Sequence, residues 1–127
     1  MLTLTQIAAA RERLAPYIYT TPLLRMANLD AWLGCEVYIK AECMQRTNSF
    51  KIRGALNKML SLPREALSRG VVAASSGNHG KGVAFAAALL GVPAVIVLPE
   101  TAPMVKVEGI KKLGAEVVVC PLSQRHQ

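Results

Sequence analysis

Lys51 follows the turn-tolerant residues Thr47, Asn48 and Ser49 and opens a segment whose apolar residues recur at helical spacing. A lysine at a helix N-terminus lies at the positive end of the helix dipole, which disfavours an ammonium and favours an amine held neutral. A neutral amine attacks carbonyl carbon and forms a Schiff base. Taken alone, such a lysine reads more readily as a solvated surface residue. A second stretch, Ser75-Ser76-Gly77-Asn78-His79-Gly80, supplies two hydroxyls, a carboxamide, two glycines and backbone N–H groups ahead of an alanine-rich helical run. Donors gathered at a helix N-terminus bind an anion, and the oxygens of a carboxylate or a phosphate both suit them. The plainer alternative is a capping turn, with Ser or Asn as the cap and Gly making the bend.

The elements that must position these two stretches follow from periodicity. Thr5 is placed to cap a helix with Ile7, Ala10 and Leu14 inward, ending at Pro16. Thr20, Thr21 and Pro22 force extended chain, and Leu23-Leu24 begins a short strand. Leu29, Trp32 and Leu33 lie at helical spacing, with Gly34 as the stop. Residues 36–42 alternate, with Val37, Ile39 and Ala41 on one face, as in a half-buried strand. Ile52, Ala55, Leu56, Met59 and Leu60 mark the clearest helix, broken by Pro63 and the polar residues up to Arg69.

After Gly70 a strand–turn–helix grammar repeats. Residues 71–74 read as a strand, 75–80 as a glycine-bearing turn and 83–90 as a helix closed by Gly91. Residues 94–98 form the next strand. Thr101 and Pro103 open a helix with Val107 and Ile110 inward and Gly114 closing it, and 117–120 is the last strand. Apolar strands alternating with helices predict an α/β fold, an open parallel sheet with flanking helices in βαβ units. Ligands of such sheets sit beyond the C-terminal ends of the strands, where residues 75–80 fall.

Composition narrows the function classes. A chain of 127 residues, 52% hydrophobic and 18% charged, is globular and long enough for one domain with a core. Aromatics are only 5%, so the core is aliphatic, as suits helices on a parallel sheet. The net charge of +7 comes from scattered basic residues not interleaved with aromatics, a solvated surface and not a nucleic-acid footprint. Cys35, Cys43 and Cys120 form no CxxC pair, and their odd number points to a reducing compartment. No Cys–His spacing suggests a metal site. No signal-peptide pattern opens the chain, and no apolar run approaches a bilayer span, so a cytoplasmic protein without membrane contact is expected. There is no internal repeat and no low-complexity segment. Residues 121–127 are polar and leave the last strand uncovered, so the chain reads as part of a longer one.

Taken together, Ser49-Phe50-Lys51-Ile52-Arg53-Gly54-Ala55 and Ala74-Ser75-Ser76-Gly77-Asn78-His79-Gly80 resemble the pyridoxal-phosphate enzymes of fold type II. Within that group they are most similar to threonine and serine dehydratases and serine racemase. The resemblance runs over most of the chain, including Thr21-Pro22-Leu23 and Leu98-Pro99-Glu100-Thr101-Ala102-Pro103. Cysteine and threonine synthases share the fold but are less alike at Ile52-Arg53 and Asn78-His79. The resemblance implies pyridoxal 5'-phosphate as cofactor and a small amino acid as substrate. It implies that Lys51 forms the Schiff base with the cofactor aldehyde and takes the substrate α-proton. Phe50 would pack near the pyridine ring, or else be an ordinary core aromatic. Asn78 would hydrogen-bond the cofactor's phenolic oxygen, or else cap a helix. Ser75, Ser76, Gly77, Asn78 and His79 would cradle the substrate carboxylate, mostly through backbone N–H groups. His79 reads as structural more readily than as an acid–base residue, and Arg53 as an ion-pairing residue.

The implied reaction is β-elimination of water from L-threonine or L-serine, giving a 2-keto acid and ammonia. Racemisation of serine is the alternative, because a serine at Ser76 delivers a proton to the face opposite the lysine in racemases of the family. The resemblance further implies that residues 1–66 begin the large domain carrying Lys51. Residues 67–127 would make most of the small domain carrying the substrate loop, and the full-length form would be a homo-oligomer. Two departures stand out. Asn48 replaces the family's usual glycine, and asparagine is the non-glycine residue that best tolerates positive φ. The glycine-rich loop that holds the cofactor phosphate, and the residue that meets the pyridine nitrogen, are not among these 127 residues. Two further readings therefore stand: a catalytically incomplete fragment or a subunit completed by another chain, and a plain anion-binding α/β module.

Overall fold

A computed structural model describes residues 1–121 and 123, so most of the polar 121–127 stretch lies outside the described residues. Among the described residues, β3 (Val71–Ala74), β4 (Ala94–Pro99) and β5 (Glu116–Cys120) form a parallel sheet in chain order. Helices α5 (Asn78–Leu90) and α6 (Met104–Lys111) make the two connections, the βαβ arrangement that the alternating pattern predicts. The central strand β4 alternates fully buried Ile96 and Leu98 with half-buried neighbours. Burying each such side chain contributes about 1.5–3 kcal/mol.

Helix α3 (Lys51–Leu60) lays its buried face, Ile52, Ala55, Leu56 and Met59, into the same core as Val83, Ala84, Ala86 and Ala87 of α5. The alanines of α5 pack into this core, and Gly82 lies against the start of α3. A Cβ built on Gly82 would lie 3.2 Å from both the Lys51 carbonyl carbon and the Ile52 nitrogen. Helix α1 (Leu4–Leu14) joins this core through Leu14.

The remaining elements depart further from the periodicity. The α1 cap is Thr3, not Thr5: its hydroxyl accepts the Gln6 N–H, and its own N–H donates to Gln6 Oε1, a reciprocal capping box. Of the expected inward face only Leu14 is buried; Ile7 is exposed. Strands β1 (Leu23–Arg25) and β2 (Tyr38–Lys40) pair antiparallel, with Leu24 opposite Ile39. The strand expected over 36–42 is thus shorter and exposed along its length, and only Ala41 beyond its end is buried. Helix α2 (Ala27–Leu33) ends at left-handed Gly34 as expected but buries nothing, and Trp32 is 79% exposed. Asp30 ties α2 to the ribbon by accepting from the Arg25 guanidinium and from the Val37 N–H. Residues after Pro63, read as a break, form the short helix α4 (Arg64–Ser68), because proline is well tolerated at a helix start.

Helix α5 begins at Asn78, five residues before the expected start, so the second half of the glycine-bearing turn is its first helical turn. Gly80 reads as part of the turn because glycine lowers helix propensity. Here it is demanded by space: a Cβ on Gly80 would meet the Ser75 carbonyl oxygen at 2.7 Å and the Ile96 Cγ2 at 3.0 Å.

This contrast is testable. Gly80→Ala should destabilise the chain by about 1–2 kcal/mol in denaturant unfolding, since overpacking outweighs the propensity gain. Gly54→Ala, on the exposed side of α3 with nothing within 4 Å, should stabilise it by about 0.5–1 kcal/mol. Equal effects at the two sites would contradict the packing assigned to Gly80.

Candidate functional site

Lys51 is the first residue of α3, where its spacing places it. Its ammonium nitrogen lies 4.9 Å from the centroid of the Phe50 ring. Phe50 is 57% exposed, so it is not a core aromatic; its ring face is available to a planar ligand. Lys51 itself is exposed. The helix end expected around the amine is present, but the chain by itself does not enclose it.

The approach to Lys51 is held by alternately buried polar residues, Gln45, Thr47 and Ser49. Gln45, 2% exposed, accepts the Tyr19 and Arg46 N–H groups at 2.9 and 3.0 Å through Oε1 and donates to the Tyr19 carbonyl at 2.8 Å. Thr47 donates to the Ser49 carbonyl at 3.4 Å. Asn48 has φ 59°, the only positive φ of a non-glycine among the described residues, as its place in the motif suggests. Its carboxamide donates to the Cys43 carbonyl and accepts from the Lys81 ammonium, each at 3.3 Å. The buried Ser49 hydroxyl has no hydrogen-bond partner among the described residues, a costly feature for a loop built for stability alone.

The loop after β3 approaches from the other side. The Ser75 N–H donates to the Val97 carbonyl at 3.0 Å, extending the sheet ladder into the loop. Ser75 Oγ accepts the Gly77 N–H at 3.3 Å. Gly77 is the N-cap of α5 and makes no side-chain cap bond, so neither Ser nor Asn is the helix cap here. Asn78 stands one helical turn before Gly82 on the same face, and Gly82 abuts Lys51. Lys51 and the 75–78 loop therefore border one region, tied together by the Gly82 contact and by the Lys81–Asn48 bond. Ser75, Ser76 and Gly77 are half-buried and Asn78 exposed. A cavity of about 220 Å³ lined by Gly77, Asn78, Lys81, Lys106 and Gly109 adjoins the loop, with cations beside a helix N-terminus. His79 is exposed on another side of α5, in a groove with Ala55, Lys58 and Val72. The structure thus groups Gly77 and Asn78 apart from the surface that His79 helps to form.

Pyridoxal phosphate fits this set of residues in chemical kind. Lys51 supplies an amine for its aldehyde, Phe50 an exposed ring face, and the 75–78 loop polar groups at a helix N-terminus. Among the described residues, no group of three or more His, Cys, Asp or Glu side chains could hold a metal ion. No helix among them is long and apolar enough to cross a membrane.

Sequence reading missed one network. Arg53, on the first turn of α3, donates to Glu42 through Nε at 2.8 Å and through Nη2 at 2.7 Å. The same carboxylate accepts the Thr21 hydroxyl at 2.6 Å, and the Lys40 ammonium donates to the Thr21 carbonyl. The ion-pairing role read for Arg53 holds; its partner was not legible, because eleven residues separate them across a turn. Glu42 is 15% exposed at its side chain. The Arg53 hydrogen bonds hold its carboxyl below the ordinary range, against the opposing effect of burial, with help from the Thr21 hydroxyl and from the charges of Arg53 and Lys40.

Comparison with known proteins gives a consistent picture. The family model described as "Pyridoxal-phosphate dependent enzyme" matches residues 14–126. An L-threonine ammonia-lyase of Geobacter sulfurreducens is 50% identical over 94% of this chain and 30% of its own length. A serine racemase of Oryza sativa subsp. indica is 45% identical over 88% of this chain and 33% of its own. The crystal structure of serine racemase from Dictyostelium discoideum superposes with a TM-score of 0.91 at 42% identity, covering 97% of this chain and 40% of that one. The chain thus spans about a third of the length of the curated relatives it matches.

The network predicts a pH dependence. A carboxylate whose folded pKa is depressed contributes stability that is full above its unfolded value and lost as pH falls through the folded one. Glu42→Gln should therefore cost about 1–2 kcal/mol at pH 7, the loss of charge-assisted hydrogen bonds. The gap to wild type should close as pH falls below about 4, the range of an unfolded glutamate. Denaturant unfolding across pH checks this; a gap independent of pH would contradict it.

Proposed function

The chain belongs to the family of pyridoxal-phosphate dependent enzymes, and we propose that it carries the reactive amine and the substrate-carboxylate loop of a threonine/serine ammonia-lyase. One observation carries the reading: the helix start bearing Lys51 is pressed against α5 at Gly82, one turn from the 75–78 loop. The identity of 50% to an L-threonine ammonia-lyase favours elimination. The substrates proposed are L-threonine and L-serine, and the products a 2-keto acid and ammonia.

Each residue then has a stated task. The Lys51 nitrogen would take the cofactor aldehyde and then serve as the base for the substrate α-proton. Bound pyridoxal phosphate supplies the electron sink for the charge left at Cα. Phe50 offers its ring face, and the Asn78 carboxamide offers a donor to the cofactor's phenolic oxygen. The Ser75, Ser76, Gly77, Asn78 and His79 segment clamps the substrate carboxylate, chiefly by backbone N–H groups; fixing the substrate this way removes orientational entropy from the barrier. A racemase reading is kept alive by the 45% identity to a serine racemase and by the Ser76 hydroxyl, which would deliver a proton opposite Lys51.

Residues 1–66 are proposed as the start of the lysine-bearing unit and 67–127 as most of the loop-bearing unit. The proposed setting is the cytoplasm, and the proposed assembly of a longer form is a homo-oligomer. Because the chain spans about a third of its relatives, we expect these 127 residues alone to hold the cofactor weakly and turn over slowly.

Incubation with pyridoxal phosphate followed by borohydride should fix the label on Lys51 in preference to the exposed Lys58 and Lys106, as read by peptide mass. Lys51→Ala should abolish that label and the yellow colour. Label spread evenly over surface lysines would contradict the proposal. In a form spanning the relatives' length, Ser76→Ala should lower D-serine formation about tenfold or more while sparing keto-acid formation, and equal loss of both would contradict proton delivery by Ser76.

A further inference from the structure

The first turn of α3 has no cap of the usual kind. Its N-cap, Phe50, has helical φ and ψ and offers no side-chain bond; locally, the Arg53 N–H donates to the Phe50 carbonyl at 3.0 Å. Further restraint comes from elsewhere in the chain. Arg53 grips the Glu42 carboxylate with two N–H groups, and Glu42 in turn holds Thr21 just ahead of β1. Lys40, at the end of β2, closes the circuit onto the Thr21 carbonyl. The extended segment at Thr21, the end of β2, the 3-10 turn Glu42–Met44 and the start of α3 are therefore joined at one carboxylate. The pair is sheltered enough to act, with side-chain exposures of 33% for Arg53 and 15% for Glu42. A two-pronged guanidinium–carboxylate contact fixes orientation as well as distance, which a lysine ammonium would not.

Lys51 thus stands between two restraints. The α5 backbone at Gly82 limits its approach on one side, and the Glu42–Arg53 fork pins the other end of the same helical turn. We propose that Glu42 is a positioning residue for Lys51: it acts through Arg53 to hold the first turn of α3, and so the reactive amine, in register with the 75–78 loop. The inference rests on the reading of Lys51 as the amine that takes the cofactor aldehyde. Glu42 itself touches neither cofactor nor substrate in this account.

The test uses Glu42→Gln, which keeps shape and removes charge, and Arg53→Lys, which keeps charge and removes the fork. Two readouts are taken on the 127-residue chain: backbone amide hydrogen exchange by residue, and the share of borohydride-fixed pyridoxal label on Lys51 relative to Lys58 and Lys106. In Glu42→Gln, exchange at residues 51–54 should rise about tenfold more than exchange in β4 and the later turns of α5, which rises only as far as the lost global stability requires. The Lys51 share of label should fall about fivefold at constant label on the two control lysines. Arg53→Lys should be intermediate in both, and it carries the test alone should Glu42→Gln not fold. Unchanged exchange at 51–54 would overturn the proposal. So would a uniform rise across the whole chain, which would make the network a general stabiliser. A wild-type chain that fails to label at Lys51 would sink the cofactor reading instead, and the exchange result would still decide whether Glu42 positions that turn.

Discussion

The contact between α5 and the start of α3, at Gly82, is the constraint on which the rest depends. A Cβ at Gly82 would sit 3.2 Å from the backbone of Lys51 and Ile52, so glycine lets the second turn of α5 lie against it without displacement. That contact brings together two helix N-termini whose sequences are otherwise unrelated. The alanine-rich face of α5 and the Ile52–Leu56 face of α3 then fill the space on either side.

Order around the site is bought with polar rather than apolar burial. Gln45, Thr47 and Ser49 are interior, and a bidentate ion pair closes the base of α3. A buried or half-buried polar network is a poor stabiliser compared with an apolar core, but it fixes geometry closely because every member has few alternative partners. The opposite holds at the β1–β2 ribbon and α2. Leu23, Leu24, Tyr38, Ile39 and Trp32 are all exposed, and a two-stranded ribbon has little stability of its own. The chain therefore combines a rigid seam beside Lys51 with a loosely supported flank.

What was legible in the sequence follows from what is local. The parallel β3–β5 sheet and α3 announced themselves because buried strands and an amphipathic helix each leave a periodic trace. Positive φ at Asn48 was legible because few side chains tolerate it. The start of α5 was not, since the glycine-bearing stretch ending at Gly80 looks like a turn until the neighbouring backbone is in place. The α1 cap was misplaced by two residues because Thr3 and Thr5 are equivalent until Gln6 chooses between them. The exposure of β2 was invisible, since alternation marks a face suited to burial and not what covers it. The Glu42–Arg53–Thr21 network joins residues distant in sequence, and no local pattern predicts such a meeting. For the site, the residue types and their helix-end settings were readable; the contact at Gly82 that brings them together was not.

The central claim is that Lys51 and the 75–78 loop form one binding site. An amide NMR titration of the chain with pyridoxal phosphate, in wild type and in Lys51→Ala, tests it most directly. The account predicts that the signals of Ser76, Gly77 and Asn78 move together with those of residues 50–53 on one binding curve, and that Lys51→Ala weakens that curve by about tenfold or more. Loop signals that shift identically without the lysine, or that stay still while residues 50–53 respond, would contradict it.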